Sequence, residues 1–598
     1  MLIKESGLSG FYILEVNDKE KFDFLKPILG GFKIRNKKEF IFPKKAAHSI
    51  WKYFPGIKVK CSKDIQKEIK KIYDFKKKRK KNISLIKEQY EKGKILFEYD
   101  ASKAKYEPTD HQKIMYNMIR YANCSGLFAE AGTMKTGSYL WAIDDYIKNE
   151  MVKRALIITL SGLKYNVLAE MKIQIPHRTG IVLDGKVHAT KVFRKQFKKE
   201  SMNRDYDIYI ANYESMFSIE GLFDEKFFDL VLLDEAHRIC YPSTRQAKTI
   251  LNKFISTKYK YIVTGSLNDH DIMSHHTPIR FLGEDNVPIV HYPTAKADYM
   301  YEVAPNIWIE KPFKRKEVAQ IVADIGVEYR KIDVIKSLQP ILSIPKYAEM
   351  SPEQKRMTEE LKKELVTTIT DMCDNCSCKD NCNNSCLNTI NGKNALVVVG
   401  KFQQIANGFV QRTIKRVGDD KKEETIYIDF KENPKLKLLD DIIEEIGNNK
   451  VIIWSNRIRS LETIYNHLQK KYKNKKGKDA LRIWRNDNAF KTVERFKDSA
   501  FQFLVANPAK AGVGLNIQFS SFAITFDNSY SYREYTQKVS RQHRKGQKER
   551  VTVFQICLKD SIDLAVIKAL QKRKNLSFDL GKLARITGTT EEMFSHKL

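Results

Sequence analysis

FAEAGTMKTG, residues 128–137, ends an apolar run on a glycine turn and begins a helical one. A glycine-rich turn between a strand and a helix exposes backbone N–H groups that cradle phosphates. A following lysine reaches the terminal phosphates, and the next hydroxyl holds magnesium. The run "SGLFAEAG" reads as a short buried strand and "GSYLWAIDDYI" carries helical spacing, so the turn has the context this chemistry needs. Glu130, Ala131, Gly132, Thr133, Met134, Lys135, Thr136 and Gly137 are therefore the expected phosphate contacts. Met134 departs from the pattern, because such loops carry glycine there. If its φ is positive, the side chain costs about 1–2 kcal/mol.

Outward from this loop the chain alternates β-rich and helical stretches. "RALIITL", "DIYIAN", "FDLVLLDEAH" and "YKYIVTGS" are apolar on both faces, as central strands of a parallel sheet must be. After about residue 395 a second set follows: "KVIIWS", "LRIW", "QFLVANP", "SFAITFDN" and "RVTVFQICL". Two α/β sheets are expected. Asp234-Glu235-Ala236-His237, a DEAH tetrapeptide, closes one strand run. A carboxylate pair at a strand end suits nucleotide hydrolysis: Asp234 for the magnesium shell, Glu235 for orienting or deprotonating water. Alone, the tetrapeptide reads equally well as a helix cap.

Together the loop and the DEAH sequence resemble the helicase-like superfamily 2 ATPases. "IANYESM" is similar to the Asn-Tyr-Glu stretch of Swi/Snf-type DNA translocases, and "VTGSLND" stands where they carry Thr-Gly-Thr-Pro, with Leu267 replacing proline. "QKVSRQHRKGQ", residues 537–547, resembles the Swi/Snf signature at Gln537, Arg541, His543, Arg544, Gly546 and Gln547. The series extends over about residues 106–580. It implies two RecA-like lobes with ATP and Mg²⁺ between them, and duplex DNA as the partner. His111 and Gln112 are then adenine contacts, Gly514 and Gln537 belong to the nucleotide site, and Arg541 and Arg544 are arginine fingers. Their spacing places both on one face of an expected helix. The rival readings are an RNA helicase and a non-hydrolysing nucleic-acid scaffold, the latter suggested by Met134.

The expected organisation is a small α+β module at 1–58, a basic helical linker at 59–105 and an ATP-binding lobe at 106–290. An inter-lobe helical region at 291–394, a second lobe at 395–580 and a tail at 581–598 follow. Lys+Arg number 106 against 73 Asp+Glu, a net of +33, which favours a polyanionic partner. The run Lys76 to Lys81 reads as a nucleic-acid grip or as a solvated helix face. Cys373, Cys376, Cys378, Cys382 and Cys386 are dense enough to hold metal: zinc by four of the five, ahead of an iron–sulfur cluster. No run of about 18 apolar residues and no secretory leader is evident, so an intracellular protein (cytoplasm, nucleoid or nucleus) is expected. The N-terminal module is expected to dock DNA or protein partners.

Overall fold

Sequence-distant runs meet in a seven-stranded parallel sheet in the computed structural model. The structure describes residues 2–5, 11–16, 34–36, 39–43, 60–102, 107–183, 206–219, 223, 226–265, 272–283, 286–289, 291–304, 307–335, 337–364, 366–368, 389–391, 395–415, 423–472, 475, 477–485, 487–511, 515 and 517–571. These fall into two units, divided after Val334, each with its own sheet and core.

In the first unit, strands β1 (Leu2–Glu5), β2 (Phe11–Glu15), β3 (Ile34–Asn36), β4 (Glu39–Pro43) and β5 (Lys60–Cys61) form a five-stranded sheet, order β3-β4-β2-β1-β5. Two or three strands were legible in the sequence of this module. Helix α1 (Lys63–Glu91) starts one residue after β5, with the Ser62 hydroxyl accepting from Ile65 N–H at 3.3 Å. The charged stretch thus forms one helix of 29 residues, about 44 Å long.

The main sheet is built from β6 (Gly126–Ala129), β7 (Ala155–Thr159), β8 (Gly180–Val182), β9 (Ile208–Asn212), β10 (Leu230–Asp234), β11 (Tyr259–Thr264) and β14 (Gly326–Tyr329). Helices α2 (Asp110–Ala122), α3 (Lys135–Lys148), α4 (Lys164–Gln174), α5 (Arg245–Phe254) and α6 (Arg315–Ile325) belong to the same unit. A hairpin of β12 (Met300–Ala304) and β13 (Ile307–Glu310) precedes α6. The order is β14-β6-β11-β10-β7-β9-β8, all parallel. Alternate residues enter opposite cores: Leu230 and Leu232 pack with Tyr139 and Ile143 of α3, whereas Val231 and Leu233 pack with Ile250 and Phe254 of α5. A strand buried on both faces has no polar alternation, hence the continuous apolar runs in the sequence.

The second unit holds β15 (Leu342–Ala348), α7 (Pro352–Glu364), β16 (Val366–Thr368), β17 (Thr389–Asn391), α8 (Ala395–Ala406), β18 (Phe409–Lys415), β19 (Glu423–Asp429), α9 (Pro434–Ile446) and β20 (Val451–Trp454). It continues with α10 (Ile458–Tyr472), β21 (Asp479–Ile483), α11 (Ala489–Phe496), β22 (Phe501–Ala506), β23 (Phe522–Thr525), α12 (Tyr532–Val539) and β24 (Thr552–Leu558). Its six-stranded parallel sheet has the order β15-β24-β23-β20-β22-β21. β15 and β14 both come from the stretch that reads as irregular in sequence, and each joins a different sheet. The cysteine cluster at 373–386 lies outside the described residues.

Candidate active site

Parallel strand order brings three loops of the first unit to one edge. The turn 130–134 leaves β6, Thr264 and Gly265 end the neighbouring β11, and Asp234 and Glu235 end β10 beyond it. Two strand spacings separate β6 from β10, about 10 Å. Lys135 spans that gap: its Nζ lies 3.3 Å from Glu235 Oε1 and 3.3 Å from Ala129 O. Both contacts are long for charge-assisted bonds, so the ammonium is neutralised without being tightly locked.

Backbone strain is concentrated here. Gly132 has φ 93°, which glycine adopts freely. Met134 sits at φ 59° and ψ 29°, the left-handed region, and is the residue from which α3 starts. Glu235 is also left-handed, at φ 57°. Non-glycine residues rarely hold this conformation, and they do so where the surroundings enforce it. For Met134 the restraints are visible. Thr133 Oγ1 donates to Glu130 O at 2.8 Å, His111 Nε2 meets Thr133 O at 3.0 Å, and Gln112 Nε2 donates to Met134 O at 3.2 Å. Gln112 Oε1 accepts from Thr109 N–H at 3.1 Å, forming a capping box at the start of α2. Gln112 is fully buried with both ends of its amide engaged, so in this conformation it braces the loop. Glu130 accepts from Lys331 N–H at 2.9 Å, and its own N–H donates to Tyr329 O at 3.1 Å. The turn is therefore tied to the segment after β14 as well.

Two features leave room for a ligand. The N-terminus of α3 has no capping side chain and no acid in its first turn, so its positive end is open to an anion. Asp234 is held by Thr159 Oγ1, which donates to Oδ2 at 3.0 Å, while Oδ1 is buried with no hydrogen-bond partner among the described residues. A buried, unpartnered carboxylate oxygen suits a divalent cation. Thr136, half-buried in the first turn of α3, is the hydroxyl beside it in sequence. The donor set thus fits a nucleoside triphosphate with Mg²⁺. Burial raises the Asp234 carboxyl to about 6, against the pull of Lys135. Burial would also raise Glu235, but Lys135 and His237 outweigh it and hold that carboxyl well below its usual range. His237 Nδ1 lies 3.3 Å from both Glu235 Oε2 and Thr264 Oγ1, linking the β10 and β11 loops.

Thr159 carried no readable role, and Tyr213 was marked only by the family resemblance of "IANYESM"; its hydroxyl donates to Asp234 O at 2.8 Å. Thr109 carried a readable signal, the Thr-x-x-Gln of a capping box. Ser266 and Leu267 lie outside the described residues, as do Gly512, Val513, Gly514 and Asn516.

In the second unit the expected single helix carrying Arg541 and Arg544 is not formed. α12 ends at Val539, and residues 540–546 run through successive turns. Three-residue hydrogen bonds replace the α-helical ladder (Arg541 N–H to Lys538 O, Gln542 N–H to Val539 O), and Gly546 then takes φ 98°. Arg541 is 6% exposed, with its carbonyl accepting from Ile517 N–H at 3.1 Å. Arg544 Nε donates to Ser540 O at 3.0 Å, and poor solvation lowers its guanidinium to about 10. Gln537 lies half-buried on α12, and His543 Nε2 meets Gln339 O at 2.7 Å.

Comparison with known proteins agrees with this arrangement. Residues 105–265 match the family described as type III restriction enzyme, res subunit, and residues 434–546 match the helicase conserved C-terminal domain. Protein CHROMATIN REMODELING 5 of Arabidopsis thaliana is 22% identical over 453 residues, covering 70% of this chain and 23% of that protein. The human SWI/SNF-related matrix-associated actin-dependent regulator of chromatin subfamily A member 1 is 20% identical over 431 residues, covering 70% of this chain and 38% of the relative. The chain is similar to Swi/Snf-type chromatin-remodelling ATPases over about 70% of its length, with a helicase-type family match in each unit. Among solved structures, the Sulfolobus solfataricus SWI2/SNF2 ATPase core in complex with dsDNA aligns with TM-score 0.36 and 18% identity, over 83% of this chain and 98% of that one. The chain spans well under half the length of these two curated relatives. Among its described residues no helix is long and apolar enough to cross a membrane, and no cluster of metal-ligating side chains occurs.

Proposed function

We propose that the protein hydrolyses ATP and uses the energy to move along or remodel duplex DNA. The observation that carries the ATP site is the convergence of Lys135, Glu235 and the unpartnered Asp234 oxygen at the open N-terminus of α3. Lys135 leaves Glu235 for the terminal phosphates when nucleotide arrives, and backbone N–H groups of 132–136 take the remaining oxygens. Thr136 and Asp234 would hold Mg²⁺, which would supply charge neutralisation on the phosphates. Glu235, an ionised carboxylate released from Lys135, orients and accepts a proton from the attacking water. Arg541 and Arg544 keep the arginine-finger role that the signature around them implies, an effect worth about 10³–10⁵ in rate where such fingers act. His237, touching Glu235 and Thr264, relays the state of the hydrolytic loop to the end of β11. His111 and Gln112 remain the proposed adenine contacts, and Gly514 and Gln537 are assigned to the nucleotide site on the resemblance alone.

Duplex DNA as substrate rests on the QKVSRQHRKGQ signature and the net charge of +33. The test is ATP turnover by the full chain with duplex DNA, with duplex RNA and with neither. Stimulation by duplex DNA supports the reading, and stimulation by RNA alone favours the RNA-helicase alternative. The cysteines at 373–386 are proposed to hold structural zinc. Support comes from their density and from β16 and β17, which pair antiparallel (Val366↔Asn391, Thr368↔Thr389) and so bring together the ends of the chain segment carrying them. One zinc per purified chain by elemental analysis is the expected result, and iron with visible absorbance would overturn it. Cys124, Cys240 and Cys557 form no disulfide among the described residues.

A further inference from the structure

We infer that α1 is a duplex-binding element, a continuous cationic rail fixed to the ATP-binding unit and separate from the site described above. The inference rests on the proposed DNA partner and specifies a surface for it.

One face of α1 is committed to the protein. Ile83 and Ile86 are buried in the core shared with α2 and α3. Asn82 Nδ2 donates to Tyr121 O at 2.6 Å, Lys87 Nζ donates to Ala323 O at 2.5 Å, and Arg79, 8% exposed, bonds to Asn286. The inward-facing basic groups therefore have protein partners. At about 100° per residue, Lys67, Lys70, Lys71, Lys77, Lys78 and Lys81 fall on the opposite side of the helix. All six are exposed, and none forms an ion pair with another described residue. Asp74 and Glu88 are the acids on that face among the described residues, and Glu88 pairs with Lys92.

A solvated helix needs no such segregation of charge. Six unneutralised ammonium groups spread over roughly 21 Å of one face repel one another, which raises the free energy of the isolated molecule. A polyanion relieves that repulsion. A duplex presents about one charge per 1.7 Å of axis, so the same length offers roughly a dozen phosphates. The helix is continuous over 29 residues and anchored along its second half, so a stiff polyanion matches it better than a coiling single strand. Phe75, the exposed aromatic of this stretch among the described residues, lies beside the lysine face, whereas the lysines grip phosphate and carry no base readout. The rail is therefore expected to hold duplex DNA independently of sequence.

The test is equilibrium binding of a fluorescent duplex DNA to the full chain without nucleotide, at several salt concentrations between about 50 and 200 mM. The variants combine Lys70→Gln, Lys71→Gln, Lys77→Gln and Lys78→Gln, or the same positions changed to Arg, with circular dichroism confirming the fold. Each lost phosphate contact lowers the slope of log K against log salt by about 0.9, so the Gln variant should be shallower by about 3 to 4. Its duplex affinity should fall at least about tenfold, with the Arg variant like the parent. An unchanged slope and affinity in the Gln variant would overturn the inference, as would a loss confined to single-stranded DNA or to RNA. Failure of duplex DNA to stimulate ATP turnover in the parent would instead strike the translocase reading, leaving these isotherms to judge the rail.

Discussion

Met134 is where the phosphate loop breaks its own pattern, and the structure shows how the break is absorbed. The left-handed backbone costs an L-residue about 1–2 kcal/mol, but glycine loses about 0.5–1 kcal/mol more in folding entropy, so the two nearly offset. Met134→Gly should leave ATP turnover within about threefold of the parent. A gain beyond tenfold would mean that Met134 cripples the loop. A β-branched residue fits left-handed backbone worse, so Met134→Val should weaken binding of a non-hydrolysable ATP analogue, read by calorimetry, by about tenfold. Glu235→Gln should retain nucleotide and lose turnover by at least about 100-fold. Lys135→Ala is a poorer probe, because removing one partner of the buried Lys135–Glu235 pair costs about 3–5 kcal/mol and damages the fold as well. Sequence alone singled out Lys135, Thr136, Asp234 and Glu235 because phosphate chemistry demands those residue types in that order. It could not show that Thr159 and Tyr213 hold Asp234, since a hydroxyl at a strand end has no readable partner until the neighbouring strand is known.

At the level of elements, the sheets were legible from their apolar runs, whereas their edges were not. β14 and β15 lie in the stretch expected to be helical, and only spatial neighbours make them strands. β14 matters to the site because Tyr329 and Lys331 hold Glu130. At its start, a Cβ on Gly326 would lie 2.2 Å from the carbonyl oxygen of Gly126 on β6, a backbone atom that cannot step aside. Gly326→Ala should therefore cost about 1–3 kcal/mol, seen as a lower melting temperature, and should weaken nucleotide binding through the loop. The early end of α12 was unreadable for a related reason. Spacing of three fits a helix and a chain of tight turns equally, and Gly546 settles it only once its positive φ is seen. On α1, burial lowers Lys87 to about 8. The unfolded chain then binds more protons than the folded one between about pH 8 and 10.5, so stability rises with pH across that window. Compared with Lys87→Met, the parent should gain melting temperature between about pH 7.5 and 9.5; a flat difference would show that the ammonium is solvated.

For the whole molecule, charge and chemistry point to one partner. The net charge of +33 supplies attraction, the open end of α3 with Lys135 supplies nucleotide binding, and the 537–547 signature directs the reading to duplex DNA. Long-range attraction is screened beyond about 8 Å at physiological salt, so stimulation by DNA should weaken steeply as salt rises, while turnover without DNA changes little. The most direct measurement is steady-state ATP turnover by the full chain with and without duplex DNA, alongside Glu235→Gln. The parent should turn over faster by about tenfold or more when duplex is present, with Glu235→Gln near background in both conditions. Equal turnover with and without duplex, or activity that survives Glu235→Gln, would contradict a DNA-driven ATPase built on these residues.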